Sequence, residues 1–115
     1  MSMNEDHIKM GFSYAEWELL QRVLSSNGKI EKAILYGSRA KGNFKKFSDV
    51  DIALVGPQLL RIDIIRLNES FSESSFPYET DLSLFSRLKN EQLIDHIRRN
   101  GIVIYSRQHT KEQTP

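Results

Sequence analysis

Two short apolar runs, residues 33–36 and 50–55, constrain what this chain can fold into more than any other feature. The first stops at Gly37-Ser38 and the second at Gly56-Pro57, and short apolar runs bounded by turn residues read as buried strands. A chain built around such strands needs apolar helical stripes to cover them, and several are present. Ser13-Tyr14-Ala15-Glu16 is a candidate capping box, after which Trp17, Leu20, Val23 and Leu24 fall on one helical face before Gly28. A second helix follows Pro57. Its Leu59, Leu60, Ile62, Ile64, Ile65 and Leu67 exceed what one stripe requires, which leaves a deeply buried helix and a partner-binding face as open readings. Residues 80–85 form a third predicted strand. A last helix, about 90–100, turns Leu93, Ile94 and Ile97 inward and leads through Gly101 into a fourth strand at 102–105. The order helix, strand, loop, strand, helix, strand, helix, strand predicts an α/β (α+β) architecture: a mixed β-sheet flanked by helices.

The 115 residues suit one domain, expected over 13–105, with 1–12 and 106–115 as flexible ends because the first is mostly polar and the second lacks aliphatic side chains. Sixteen Lys and Arg against fifteen Asp and Glu leave a net charge of +1, which argues against direct nucleic-acid binding by phosphate neutralisation. With no cysteine there is no disulfide framework, thiolate nucleophile or Cys-based zinc site. No apolar run approaches the roughly 20 residues that span a bilayer, and the N-terminus lacks a basic region followed by an apolar one, so a cytoplasmic protein with no membrane partner is expected.

The chemistry concentrates between the first two strands. Asp49 and Asp51 sit one residue apart at a strand start, where the period of two sends both carboxylates to one face. Two neighbouring anions repel unless a cation lies between them, and Mg²⁺ takes one or two carboxylates together with substrate phosphates; a solvated strand end is the plain alternative. Upstream, Gly37 and Ser38 offer a close backbone approach and a hydroxyl, and Arg39, Lys41, Lys45 and Lys46 supply cations with no acid until Asp49. A polyphosphate with its metal would suit that pairing. Gly37 and Gly42 have the glycine spacing of a Walker loop, but Asn43-Phe44 replaces its Lys and Ser/Thr, so that motif is rejected. His7, His96 and His109 lack ligand partners at helical spacing and read as structural or surface groups, and Trp17 reads as core.

Gly37-Ser38, ten residues, then Asp49-Val50-Asp51 resembles the signature of the DNA polymerase beta-like nucleotidyltransferase superfamily. The surrounding stretches, Tyr36-Gly37-Ser38-Arg39-Ala40-Lys41-Gly42 and Ser48-Asp49-Val50-Asp51-Ile52-Ala53-Leu54, resemble the minimal nucleotidyltransferases, or MNT proteins, encoded beside HEPN-domain proteins in prokaryotes. The resemblance implies the nucleotidyltransferase fold, ATP as substrate and two Mg²⁺ ions held by Asp49, Asp51 and a third carboxylate. Asp81 fits that third place, with Glu79 on the same strand face as a competitor. It also implies that Gly37 and Ser38 hold the β- and γ-phosphates, with Arg39 the added cation and Lys45 and Lys46 weaker candidates. Asp81 would take the acceptor's proton. The acceptor implied is a tyrosine of a partner HEPN ribonuclease toxin, which AMP transfer silences, making this chain the antitoxin of a hetero-oligomeric pair. A protein acceptor suits a chain with no second domain. Neutralisation by complex formation alone, and transfer to a small-molecule hydroxyl, are the alternatives.

Overall fold

The structure, a computed structural model, describes residues 6–107. Its elements are α1 (Asp6–Lys9), α2 (Tyr14–Ser25), β1 (Lys32–Tyr36), α3 (Ser38–Lys41), β2 (Val50–Val55), α4 (Arg61–Glu73), β3 (Thr80–Leu84), α5 (Glu91–Asn100) and β4 (Ile102–Ser106). Local chemistry starts two of the helices. Ser13 and Glu16 exchange backbone-to-side-chain hydrogen bonds at α2, closing the capping box, and the Asn90 side chain accepts from the Gln92 and Leu93 amides at α5. Phe85, expected in the third strand, instead begins a 3₁₀ turn.

The four strands form one sheet in the order β3-β2-β1-β4. β1 pairs antiparallel with β2 and β4, whereas β2 and β3 run parallel, joined by α4. The sheet is mixed, as the sequence predicts. Ala33 and Leu35 of β1, Val50, Ile52 and Leu54 of β2, and Leu82 and Leu84 of β3 are buried in one cluster with Leu20, Val23 and Leu24 of α2 and Leu67 and Phe71 of α4. Burying such side chains contributes about 1.5–3 kcal/mol each. The opposite face carries Ile34, Tyr36 and Asp51 and is approached by α5, whose His96 lies against Tyr36.

The surplus apolar residues around α4 divide. Leu59, Leu67 and Phe71 enter the core, while Leu60, Ile62 and Ile65 stay exposed. Asp63, 3% exposed, locks the start of α4: it accepts from the Leu60 amide at 2.7 Å, Lys29 Nζ at 2.9 Å and Asn27 Nδ2 at 3.1 Å. The expectation of a loose end over 1–12 does not hold for its described part. Residues 6–9 are helical, and Met10 and Phe12 belong to the core, because an aromatic cluster of Trp17, Phe76 and Tyr78 receives Phe12. Residues 1–5 and 108–115 lie outside the described residues, and with them His109 and most of the expected C-terminal tail. Ser106 continues β4. Among the described residues no helix is long and apolar enough to cross a membrane.

Candidate active site

The residues singled out between β1 and β2 meet at one end of the sheet. β1 ends at Tyr36, directly opposite Asp51 near the start of β2, and Asp51 in turn stands beside Asp81 in the parallel register of β2 and β3. Neighbours in a parallel ladder point to the same face, so Asp51 and Asp81 project together, and Asp49 shares that side by the period of two. Glu79 lies before β3 and contributes its carbonyl to the Val50 amide. Asp49 and Asp81 are exposed, and Asp51 is half-buried.

Gly37 turns the chain from β1 into α3. Its φ of +79° with ψ of −154° is a conformation open in practice only to glycine, and a Cβ there would overlap Asp51 Oδ2. The glycine therefore makes room for the Asp51 carboxylate. Its carbonyl accepts from the Ala40 and Lys41 amides at 3.1 Å, which holds Ser38 at the first position of the helical turn.

Electrostatics mark the same spot. Partial burial, then the charges of Asp81 and Asp49, push the Asp51 carboxyl above its ordinary range. No Lys, Arg or His among the described residues forms an ion pair with any of the three aspartates. A set of hard oxygen donors that lacks a counter-charge fits a divalent cation. Among the described residues, no three His, Cys, Asp or Glu side chains are closed around one point.

Two residues of the site escape sequence reasoning. Tyr36 has its phenol pushed up chiefly by burial, with the Ser83 hydroxyl opposing and the Asp81 and Asp51 charges adding to the rise, so it belongs to the aspartate cluster. His96 on α5 accepts from the Gly37 amide through Nε2 at 3.4 Å, and its ring meets Tyr36 edge-on at 6.4 Å. Its Nδ1 faces the Asn100 amide at 3.2 Å. The strand period signals that Tyr36 faces the site, but nothing local brings a histidine from 59 residues away to Gly37.

Arg39 corrects an expectation. Read from sequence as a phosphate cation, it is only 1% exposed. Its guanidinium donates to the carbonyls of Ser48, Met10 and Gly11, and it lies over the rings of Tyr78, Phe12 and Phe44. Those neighbours turn it away from solvent. The exposed cations of the segment are Lys41, Lys45 and Lys46, the last 5.5 Å from the ring of exposed Phe47.

Comparison with known proteins gives the family and the fold. Residues 18–110 match the family described as Polymerase beta, Nucleotidyltransferase. Over 81 residues the chain is 38% identical to a Haemophilus influenzae protein described as a probable protein adenylyltransferase MntA, covering 68% of each. Among solved structures, a toxin-antitoxin crystal structure with AMP-PNP superposes with a TM-score of 0.66 at 22% identity, over 84% of this chain and 78% of that one. A structure of a tri-AMPylated Shewanella oneidensis HEPN toxin in complex with MNT antitoxin gives 0.61 at 19% identity, over 86% and 76%. At those identities the superpositions speak to the fold.

Proposed function

The chain belongs to the polymerase beta nucleotidyltransferase family, and from that premise we propose that it is an antitoxin that transfers AMP from ATP to a tyrosine of a partner HEPN-domain toxin. The observation that carries this reading is the register of Asp51 beside Asp81, next to the Gly37-Ser38 turn and with no ion pair to either carboxylate among the described residues. The relatives support the acceptor: one is described as a probable protein adenylyltransferase, another as a complex with a tri-AMPylated HEPN toxin.

In the reaction, the acceptor phenol oxygen bonds to the α-phosphorus while the α–β bridging bond breaks, and pyrophosphate leaves with the electron pair. Ser38 and the turn around it bind the β- and γ-phosphates, with Lys41, Lys45 and Lys46 as the cations free to approach them. Asp49, Asp51 and Asp81 would hold Mg²⁺, which when bound neutralises phosphate charge and lowers the pKa of the attacking hydroxyl. Asp81, exposed at the strand start, takes the phenol proton.

The test is to mix the chain with ATP, Mg²⁺ and the protein encoded by the neighbouring gene and to measure intact mass. Addition of AMP units to the partner is expected; an unmodified, otherwise competent partner refutes the reading. Replacing Asp49 and Asp51 with Ala should lower the transfer rate by roughly 10³-fold, since the charge stabilisation lost amounts to several kcal/mol.

A second reading, neutralisation by complex formation alone, draws on the exposed Leu60, Ile62 and Ile65. The same double variant separates the two: continued protection of cells by a transfer-dead protein favours binding.

A further inference from the structure

Arg39 presents a physical problem once it is removed from the phosphates. A guanidinium 1% exposed would ordinarily face a carboxylate, yet none lies within ion-pairing distance among the described residues. Three carbonyls and three ring faces surround it instead. The hydrogen bonds and ring contacts offset the cost of burying the charge.

Two of its neighbours, Ser48 and Tyr78, belong to segments that deliver candidate site residues. Arg39 is itself the second residue of α3, directly after Ser38. Nε and Nη2 both donate to the Ser48 carbonyl, at 3.1 and 2.9 Å, immediately ahead of Asp49. Ser48 is held from its other side, with its hydroxyl accepting from the Lys45 amide at 2.7 Å and its amide donating to the Lys45 carbonyl at 3.0 Å. The guanidinium carbon stands 4.2 Å from the centre of the Tyr78 ring, three residues ahead of Asp81. Nη1 reaches back to the Met10 and Gly11 carbonyls at 3.0 and 3.3 Å, closing the cage with the N-terminal segment.

We propose that Arg39 is a positioning residue that fixes, relative to one another, the Gly37-Ser38 turn, the chain entering β2 ahead of Asp49 and the chain entering β3 ahead of Asp81. It acts through these segments and touches no substrate. Lysine cannot replace it, because a single ammonium cannot present parallel donors to one carbonyl while reaching two others across a flat, stacked plane. The inference rests on the proposed function only in what the three segments hold.

Amide hydrogen exchange on the free, full-length chain tests the inference itself. Arg39→Lys should speed exchange about tenfold or more at Asn43, which is bonded to Ser38, at Ser48 and at Val50, which is bonded to Glu79, while leaving Ile94 and Gly101 of the α5 region unchanged. Gly11→Ala is the second variant, since an added methyl would overlap Arg39 Nη1 and the Phe44 ring while leaving every donor in place. It should give the same pattern, and the double variant should add little to either single one. Uniform acceleration of all amides, acceleration confined to one of the three segments, or no change would each overturn the proposal.

Titration with Mg²⁺ and ATP is the separate arm. Failure of the wild type to bind refutes the nucleotide reading while the exchange result stands; binding by the wild type with equal affinity in Arg39→Lys overturns the positioning role. About tenfold weaker binding is expected.

Discussion

At the scale of single residues, the site is costly to the free protein. Asp51 is pressed by burial and by the like charges of Asp81 and Asp49, so Asp51→Asn, which keeps the shape and removes the charge, should raise the thermal midpoint of the ligand-free chain while slowing transfer. Scanning calorimetry beside the transfer assay checks both; a lower midpoint would mean that the carboxylate is a structural asset. Gly37→Ala should act in the opposite sense on stability. It forces a side chain into φ +79° and against Asp51 Oδ2, which should cost about 1–3 kcal/mol in chemical denaturation. The motif glycine and the motif aspartate are thus one steric unit, although they are 14 positions apart in sequence.

At the scale of elements, α4 depends on a single buried carboxylate at its start. Burial pushes Asp63 up, but hydrogen bonds from the Leu60 amide, Lys29 and Asn27, together with the Lys29 charge, outweigh it and hold the group below the usual carboxylate range. The folded state therefore binds this proton less readily than the unfolded chain. Its stabilisation is complete above the ordinary aspartate pKa of about 3.9 and is lost as pH falls through the depressed folded value. Asp63→Ala should cost about 2–3 kcal/mol at neutral pH and flatten that acid-limb dependence, both measurable by urea unfolding across pH. Much of this level was legible in advance. The strands near 33–36, 50–55 and 102–105 and the capping box at Ser13 announce themselves through local pattern, and so does the Asp49-Asp51 pair. Asp63 and His96 do not, because their roles come from partners far along the chain that no local period encodes; the strand period turns Tyr36 to the site face but does not announce its contact with His96. Arg39 escapes local reading for the same reason: a basic residue beside the Gly37-Ser38 turn looks solvated until Phe12 and Tyr78 arrive from distant segments.

At the scale of the whole molecule, residues 6–12 are part of the fold. Met10 and Phe12 are 4% and 2% exposed, and the Met10 and Gly11 carbonyls complete the enclosure of Arg39. Deleting residues 2–12 should remove about 4 kcal/mol or more, a large share of the 5–15 kcal/mol typical of a domain. Thermal unfolding of the shortened chain checks this, and a midpoint equal to the full chain's would contradict it. The parallel pairing of β2 and β3 has a different consequence. Because both strands run the same way, Asp51 and Asp81 are apposed at one rim of the sheet, while the connection that leaves β2 through Gly56, Pro57 and Gln58 starts from the opposite rim. Pro57 and Gln58 are exposed there. A reporter domain or affinity handle grafted at that turn would be carried on the side of the plate facing away from the chemistry.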